Sequence, residues 1–159
     1  LFGSSSLPQT VFVATDPNVT TIHGMSSIAG WYGIGFGYQV NTGDFSGDGI
    51  ADCVFGAVDA FSSPQETHGY AAILFGRSNW PREIDIVNGG YDCLIHGGKS
   101  NKWVGVGAYF VSLDDNDGTD LVLGDLGFSL PGRENCGKVY VLYGSESRAA
   151  IDEDMWTRY

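Results

Sequence analysis

The stretch DFSGDGIADCVFG, residues 44–56, decides the fold, because it joins an aspartate-rich loop to a strand-like run that returns later in the chain. Its second half, Asp52–Gly56, recurs as Asp120–Gly124. Four further blocks recur: Ile22–Gly24 as Ile95–Gly97, Trp31–Gly35 as Trp103–Gly107, Gly69–Ile73 as Gly137–Val141, and Leu74–Gly76 as Leu142–Gly144. Because the five matched blocks keep one order, the chain contains two tandem copies of one repeat.

Each repeat is expected to form four short strands, which in the first copy lie near 38–42, 53–58, 70–75 and 84–95. Runs such as Val139–Tyr143 alternate with the period of two that strands require. The best helix candidate, 146–156, is short. A four-stranded repeat is typical of a propeller blade, and propellers close with roughly four to eight blades. The sequence therefore predicts an all-β protein of two propeller-type blades, open-ended and not a closed ring by itself.

The repeat boundaries divide the chain into four parts. We expect residues 1–3 to be the last strand of a preceding repeat, 4–76 repeat one, 77–144 repeat two, and 145–159 a tail or the start of a further repeat. Two blades leave faces and strand edges uncovered, so the chain is either a fragment of a larger propeller or a unit that packs on copies of itself. The opening strand around 1–14 or the tail would then complete a neighbouring blade in a heterologous contact.

Charge excludes several classes of partner. The chain of 159 residues carries a formal charge of −11, with 8 basic and 19 acidic residues. So acidic a surface argues against nucleic-acid backbones and anionic lipids, and it suits a cation. No apolar run approaches the ~20 residues of a membrane helix, so no membrane insertion is expected. Because 43% of the residues are hydrophobic, the chain is not a disordered acidic tail.

The loop that opens the quoted stretch has the spacing of a calcium site. Its first, third, fifth and ninth positions carry oxygen side chains, those of Asp44, Ser46, Asp48 and Asp52. Gly49 allows a sharp turn at position six, and Ile50 offers a backbone carbonyl at position seven. Ca²⁺ takes about six to eight oxygens. Phe55 stands where an EF-hand has Glu, so we expect a β-hairpin calcium loop, with a metal-free acidic turn as the alternative.

Repeat two has a related loop, DDNDGTD, at residues 114–120. Asp114, Asn116 and Asp120 keep the alternation, and Asp117 stands in at the fifth position. When the two repeats are aligned by their matched blocks, this loop is expected to be two residues shorter than the first. We therefore expect a second calcium site of altered geometry or weaker affinity, with a metal-free turn as the alternative.

These motifs carry a resemblance to a known family. The pattern Phe36-Gly37, Gly43–Gly49, Asp52 and Phe55–Ala57 resembles the FG-GAP repeat, found in the integrin α-subunit propeller and in glycosylphosphatidylinositol-specific phospholipase D. The resemblance covers roughly residues 20–144. It implies a propeller-type blade, a structural Ca²⁺ in each such hairpin held by the loop residues just named, and an extracellular or cell-surface setting. Two repeats instead of a full ring, and Asp125 where the pattern has Ala, are departures, so integrin-like ligand binding is not implied.

Covalent features fit a secreted protein. Cys53, Cys93 and Cys136 form no Cys-x-x-Cys motif, so a zinc ribbon or a thioredoxin-like site is not expected. We expect one disulfide, Cys93–Cys136 or Cys53–Cys93, with three reduced thiols as the alternative. Asn18 begins an Asn-Val-Thr acceptor for N-glycosylation.

No constellation of residues carries a reaction, so the chain is not expected to be an enzyme. The sequence has no Gly-x-Ser-x-Gly elbow and no phosphate loop with its Lys. His23 and His96 occupy equivalent repeat positions, which indicates a structural role. Trp31 and Trp103 are also equivalent and are expected to pack in the core, with stacking on carbohydrate as the alternative.

The sequence thus predicts a calcium-stabilised, extracellular structural or adhesive repeat glycoprotein that packs head-to-tail with copies of itself into a filament or larger assembly. Two alternatives remain open. One is a fragment of a larger integrin-α-like binding propeller, and the other is the accessory propeller of a secreted enzyme.

Overall fold

The computed structural model describes residues 10, 12–24, 35–63, 66–97, 103–115 and 117–144, and for 59–63 and 66–68 it describes the backbone alone. These residues form nine strands and no helix, which confirms the predicted all-β class. The strands are β1 (Thr21–His23), β2 (Gln39–Gly43), β3 (Asp52–Ser63), β4 (Glu66–Leu74), β5 (Glu83–Asp85), β6 (Cys93–His96), β7 (Val104–Val111), β8 (Asp120–Asp125) and β9 (Lys138–Leu142). The helix candidate 146–156 and the predicted terminal parts 1–3 and 145–159 lie outside the described residues.

The described strands form three sheets. The first sheet is four-stranded in the order β2-β3-β4-β6, and the second is three-stranded in the order β7-β8-β9; both are antiparallel. The third is a ribbon in which β1 pairs with β5 in parallel. In the two larger sheets β2 lies opposite β3 as β7 lies opposite β8, with Asp52 and Asp120 at equivalent ends. The repeat in the sequence is therefore a repeat of strand pairing.

The predicted strand 84–95 is wrong as a single element. The chain instead forms β5 and β6, separated by a turn that Asp85 organises. One Asp85 carboxylate oxygen accepts the N–H of Val87 at 2.9 Å, and the Asp85 carbonyl accepts the N–H of Gly90 at 2.9 Å. Because an Asp that bonds its own following backbone favours a turn over an extended strand, β5 leaves the sheet and pairs with β1.

The two larger sheets pack face to face around one core cluster. The first sheet contributes Val54, Ala71, Ile73 and Ile95, and the second contributes Ala108, Phe110, Leu121, Leu123 and Leu142. Strand β7 brings its backbone close to β2, β3 and β4. A side chain at Gly56 would overlap the carbonyl oxygen of Gly105, so the sheets approach this closely only because both positions are glycine.

The opposite face of the first sheet is covered by a second cluster. Phe55, Ala57, Tyr70, Ala72 and Leu74 pack beneath Ile84 and Ile86, with Ile22, Phe36 and Trp80 at the margin. The Phe36 ring lies 5.4 Å from the Phe55 ring, centroid to centroid. The ribbon therefore covers the β3 and β4 part of this face.

The second sheet has one apolar face that no described residue covers. We call this surface the outer face; its large exposed residues are Tyr109, Leu113, Val139, Val141 and Tyr143. The equivalent positions in the first sheet, which we call the covered face, are Asn41, Phe45, Ala71, Ile73 and Phe75. Leu113 is 55% exposed, whereas its equivalent Phe45 is 1% exposed. The two faces thus have the same pattern and opposite burial.

Candidate metal centre

Asp44 organises the first aspartate-rich loop, residues 44–52, which we call loop 1. Its carboxylate accepts the backbone N–H groups of Gly47 at 2.9 Å, Asp48 at 3.1 Å and Gly49 at 2.8 Å. Gly49 has a φ of 83°, which a side chain would disfavour. Asp48 accepts the N–H of Ile50 at 2.8 Å. The sharp turn expected at Gly49 is therefore present, and the backbone wraps around the Asp44 carboxylate.

Asp52, the last residue of loop 1, is a buried hydrogen-bond acceptor. It has no exposed surface, and one of its carboxylate oxygens accepts the N–H groups of Phe45 at 2.9 Å and Ser46 at 2.8 Å. Its other oxygen accepts the N–H of Gly76 at 2.8 Å. Three backbone donors offset the cost of burying the charge. Asp52 therefore ties the loop to the end of β4.

Asp120 does the same for the second loop, residues 112–120, which we call loop 2. It is also fully buried, and it accepts the N–H groups of Leu113 at 2.8 Å and Gly144 at 3.0 Å. Phe45 and Leu113 each precede their buried Asp by seven residues, so the two loops have equal length. The expectation that loop 2 is shorter is wrong, because the anchored Asp120 fixes its register.

This register changes which residues correspond between the loops. Ser112 stands where loop 1 has Asp44, and Asp114 stands where loop 1 has Ser46. Asp114 and Asp117 are exposed, and Asn116 lies outside the described residues. Loop 2 therefore lacks the carboxylate around which loop 1 is wound.

The donor set of loop 1 fits a hard cation. Within the described residues the Ser46 hydroxyl oxygen is buried and has no hydrogen-bond partner. Asp44 and Asp48 add carboxylate oxygens, and Ile50 adds a carbonyl, all of which are donors that Ca²⁺ prefers. In the part of the chain that the structure describes, no three acidic, histidine or cysteine side chains are grouped as a metal site. The set consists of two carboxylates, a hydroxyl and a carbonyl. The Asp44 carboxylate, like that of Asp52, already accepts three backbone N–H groups, so a cation would share the Asp44 oxygens with these donors.

Loop 1 is also built into the junction between the sheets. The Phe45 ring stacks on Phe110 with 5.5 Å between centroids, and the Asp44 carbonyl accepts the N–H of Thr119 at 2.6 Å. The Asn41 side-chain oxygen accepts the N–H of Phe110 at 2.9 Å. Loop 1 therefore supports the packing of one sheet on the next.

The structure describes all three cysteines and shows no disulfide between them. Cys53 packs in the cluster beneath the ribbon and Cys93 in the cluster between the sheets, so a Cys53–Cys93 bridge would have to cross the first sheet. The alternative pairing, Cys93–Cys136, stays a prediction. Burial, and to a lesser extent the Asp52 charge, raise the pKa of the Cys53 thiol, which keeps it protonated and unreactive.

The other predicted residues lie apart from the loops. Asn18 is exposed in a turn, and its N–H donates to Asp16 at 2.8 Å. His23 ends β1 in the ribbon, whereas His96 ends β6 in the first sheet. Trp103 packs against Gly127, and Trp31 lies outside the described residues.

Sequence reasoning gave no role to Asp125, which is buried at the end of β8. One of its oxygens accepts the N–H of Gly127 at 3.2 Å, and the other has no partner among the described residues. Burial raises the pKa of this carboxyl, although the Gly127 N–H and Lys138 act in the opposite direction. Lys138 lies across from Asp125 in the sheet, with its ammonium 4.5 Å from the Tyr140 ring centroid. The only sequence signal for Asp125 was that an acidic residue stands where the repeat pattern has Ala.

Comparison with protein-family models and with curated proteins finds no match to this chain. Within the described residues no helix is long and apolar enough to span a membrane.

Proposed function

We propose that this chain is a calcium-stabilised structural or adhesive repeat protein of the cell exterior, whose two larger sheets are FG-GAP-like propeller blades that pack head-to-tail on further blades. One observation carries the proposal. The outer face repeats the positions of the covered face, yet it remains exposed. A contiguous exposed apolar sheet face is typical of an interaction surface.

The blade interpretation rests on how the two sheets are related. Both have the same strand pairing, and the face of one packs on the opposite face of the next. Because the contact joins unlike faces, it can be repeated with every added sheet. The resemblance of loop 1 and its flanks to the FG-GAP repeat agrees with this interpretation.

Ca²⁺ would bind loop 1 through Asp44, Ser46, Asp48 and the Ile50 carbonyl, and more weakly loop 2 through Asp114 and Asp117, with Asn116 as a further candidate. The ion supplies positive charge that offsets the repulsion between the carboxylates. This chain's own part is to present the oxygens on a preformed turn and to hold that turn at the junction between the sheets. The proposal assigns no reaction to the protein.

Calcium titration with a matched pair of variants tests this proposal. We expect Ca²⁺ to raise the melting temperature, and Asp48→Asn to weaken Ca²⁺ binding by roughly tenfold, because it removes a charged donor. Glu83→Gln, at an exposed acidic residue of β5 outside both loops, is the control and should bind as the wild type does. Equal melting in chelator and in millimolar Ca²⁺ would contradict the metal proposal.

A second candidate function is favoured by the same uncovered face. In a larger binding propeller, including one attached to a secreted enzyme, the next repeat of the same chain would cover it. The mass of the mature protein discriminates the two, because several further repeats would leave no face for a second chain.

A further inference from the structure

We infer that the outer face binds a second copy of this chain at the uncovered side of β2. We call that second surface the leading face, formed by Tyr38, Val40, Thr42 and Ala51. The inference rests on the proposed head-to-tail packing and names the two surfaces that would meet.

The internal contact between the sheets is the template for this pairing. On the second sheet's side the contact is made chiefly by β7, whose Ala108 and Phe110 are buried against the first sheet. The equivalent of β7 in the first sheet is β2, where Val40 and Thr42 occupy the same register positions. Ala108 and Phe110 on β7 therefore have counterparts on β2, whereas Val104 and Gly105, which also contact the first sheet, have none in that shorter strand.

Those counterparts are exposed. Val40 is 52% exposed and Tyr38 is 56% exposed, because the ribbon covers β3 and β4 but leaves β2 open. The molecule thus presents the outer face at one end and, at the other, the part of the matching surface that β2 supplies, because the counterparts of Leu121 and Leu123 lie under the ribbon. Two copies are complementary to each other, which is the argument for a second copy as the occupant.

Polar groups at the template contact are repeated as well. The Asp44 carbonyl of loop 1 accepts the N–H of Thr119 across the junction. Ser112 stands at the position of Asp44 on the outer face, and exposed Ala51 stands at the position of Thr119 on the leading face. Between copies the Ala51 N–H would donate to the Ser112 carbonyl, which fixes the register of the contact.

Size and charge set the strength that we expect. The ribbon restricts the contact to β2 and its flank, so it is smaller than the internal one, and a dissociation constant of about 1–100 μM is expected. Each chain carries a net charge of −11, so copies repel each other at low ionic strength. Association should therefore strengthen as salt is added.

Charge variants on each surface test the pairing by sedimentation velocity over a range of protein concentrations. We expect Val141→Asp, on the outer face, and Val40→Asp, on the leading face, each to weaken self-association at least tenfold. An equimolar mixture of the two variants should form dimers and nothing larger, because each retains the surface that the other lacks. Val13→Asp, an exposed valine outside both surfaces, is the control and should associate as the wild type does.

The other outcomes are distinct. If Val40→Asp associates normally while Val141→Asp is monomeric, the outer faces pair with each other; the inference is then overturned, but assembly through the outer face stands. If the mixture stays monomeric, or if neither variant weakens association, the pairing is overturned. A wild-type chain that stays monomeric at every concentration and salt overturns the inference together with self-assembly, while calcium stabilisation is judged separately by melting.

Discussion

The covered face of the first sheet and the outer face of the second sheet are built on the same positions, but their environments are opposite. Ile73 has no exposed surface, whereas its equivalent Val141 is 41% exposed. The first is sealed by β7 and its neighbours, and among the described residues nothing seals the second. The comparison shows that an apolar strand pattern indicates a surface on which another sheet can pack. It does not show that the same chain supplies that sheet.

The largest expected difference in stability is between alanine substitutions at Phe45, on the covered face, and at Leu113, on the outer face. Phe45→Ala removes a buried ring that stacks on Phe110, and we expect a loss of about 3–5 kcal/mol in the free energy of unfolding. Leu113→Ala removes an exposed side chain at the equivalent position and should cost less than about 0.5 kcal/mol. Urea denaturation at a protein concentration where the chain is monomeric measures both losses, and equal losses would mean that the outer face is covered in solution.

Asp52 and Asp120 are buried to the same extent, although the sheet faces beside them differ in exposure. Asp52→Ala leaves three backbone N–H groups without their acceptor and should cost about 3 kcal/mol. Asp120→Ala leaves two such groups and should cost about 2 kcal/mol. Denaturant titration of the two variants and the wild type measures both losses. A negligible loss at either site would show that these carboxylates do not anchor the loops.

Calcium binding should differ between the loops, because Ser112 replaces Asp44. At ten times its dissociation constant, Ca²⁺ adds about 1.4 kcal/mol of stability per occupied site. We expect Ser112→Asp to strengthen binding at loop 2 roughly tenfold, because it supplies the missing carboxylate, and Asp44→Ser to weaken loop 1. Isothermal titration calorimetry measures both affinities. Identical isotherms for Ser112→Asp and the wild type would contradict the proposed role of this loop position as a calcium ligand.

The smallest expected effect concerns Asp125, which has no acidic counterpart in the first sheet. Because burial raises its pKa above the ordinary 3.8, the folded protein binds the proton more tightly than the unfolded chain does. The Asp125 contribution to stability therefore falls as the pH rises from about 3.8 through the raised pKa. Asp125→Asn should be more stable than the wild type at pH 7, and the difference should vanish towards acid pH. Thermal melts of both proteins across pH measure it, and a constant difference would contradict the assignment.

Much of the fold could be predicted, because it is encoded locally. Alternation gave the strand β9, and the strands expected near 38–42, 53–58 and 70–75 correspond to β2, β3 and β4, although β3 runs on to Ser63 and β4 begins at Glu66. The recurring blocks gave the repeat of strand pairing. The separation of β5 from β6 could not be predicted, because the side-chain hydrogen bonds of Asp85 override an apolar run. The parallel pairing of β1 with β5 joins residues about sixty positions apart, and no local pattern reports such a contact.

The candidate site was predictable in its residue types but not in its roles. Spacing identified loop 1, and the turn at Gly49 is present. Asp52 was expected to bind metal together with Asp44 and Asp48, which stays a prediction, and its hydrogen bond with the N–H of Gly76 appears only in the folded chain. The correspondence of Ser112 with Asp44 likewise depends on the anchoring of Leu113 by Asp120, which sequence alignment could not show.

The link from Asp52 to Gly76, and from Asp120 to Gly144, has a mechanical consequence. A force applied to the chain after β4 or β9 acts first on the hydrogen bond between Gly76 or Gly144 and the buried Asp. The Asp carboxylate therefore transmits part of that force to the loop that it anchors. Because each link depends on one carboxylate, a chain in which Asp52 or Asp120 is replaced by Ala should resist stretching less than the wild type does.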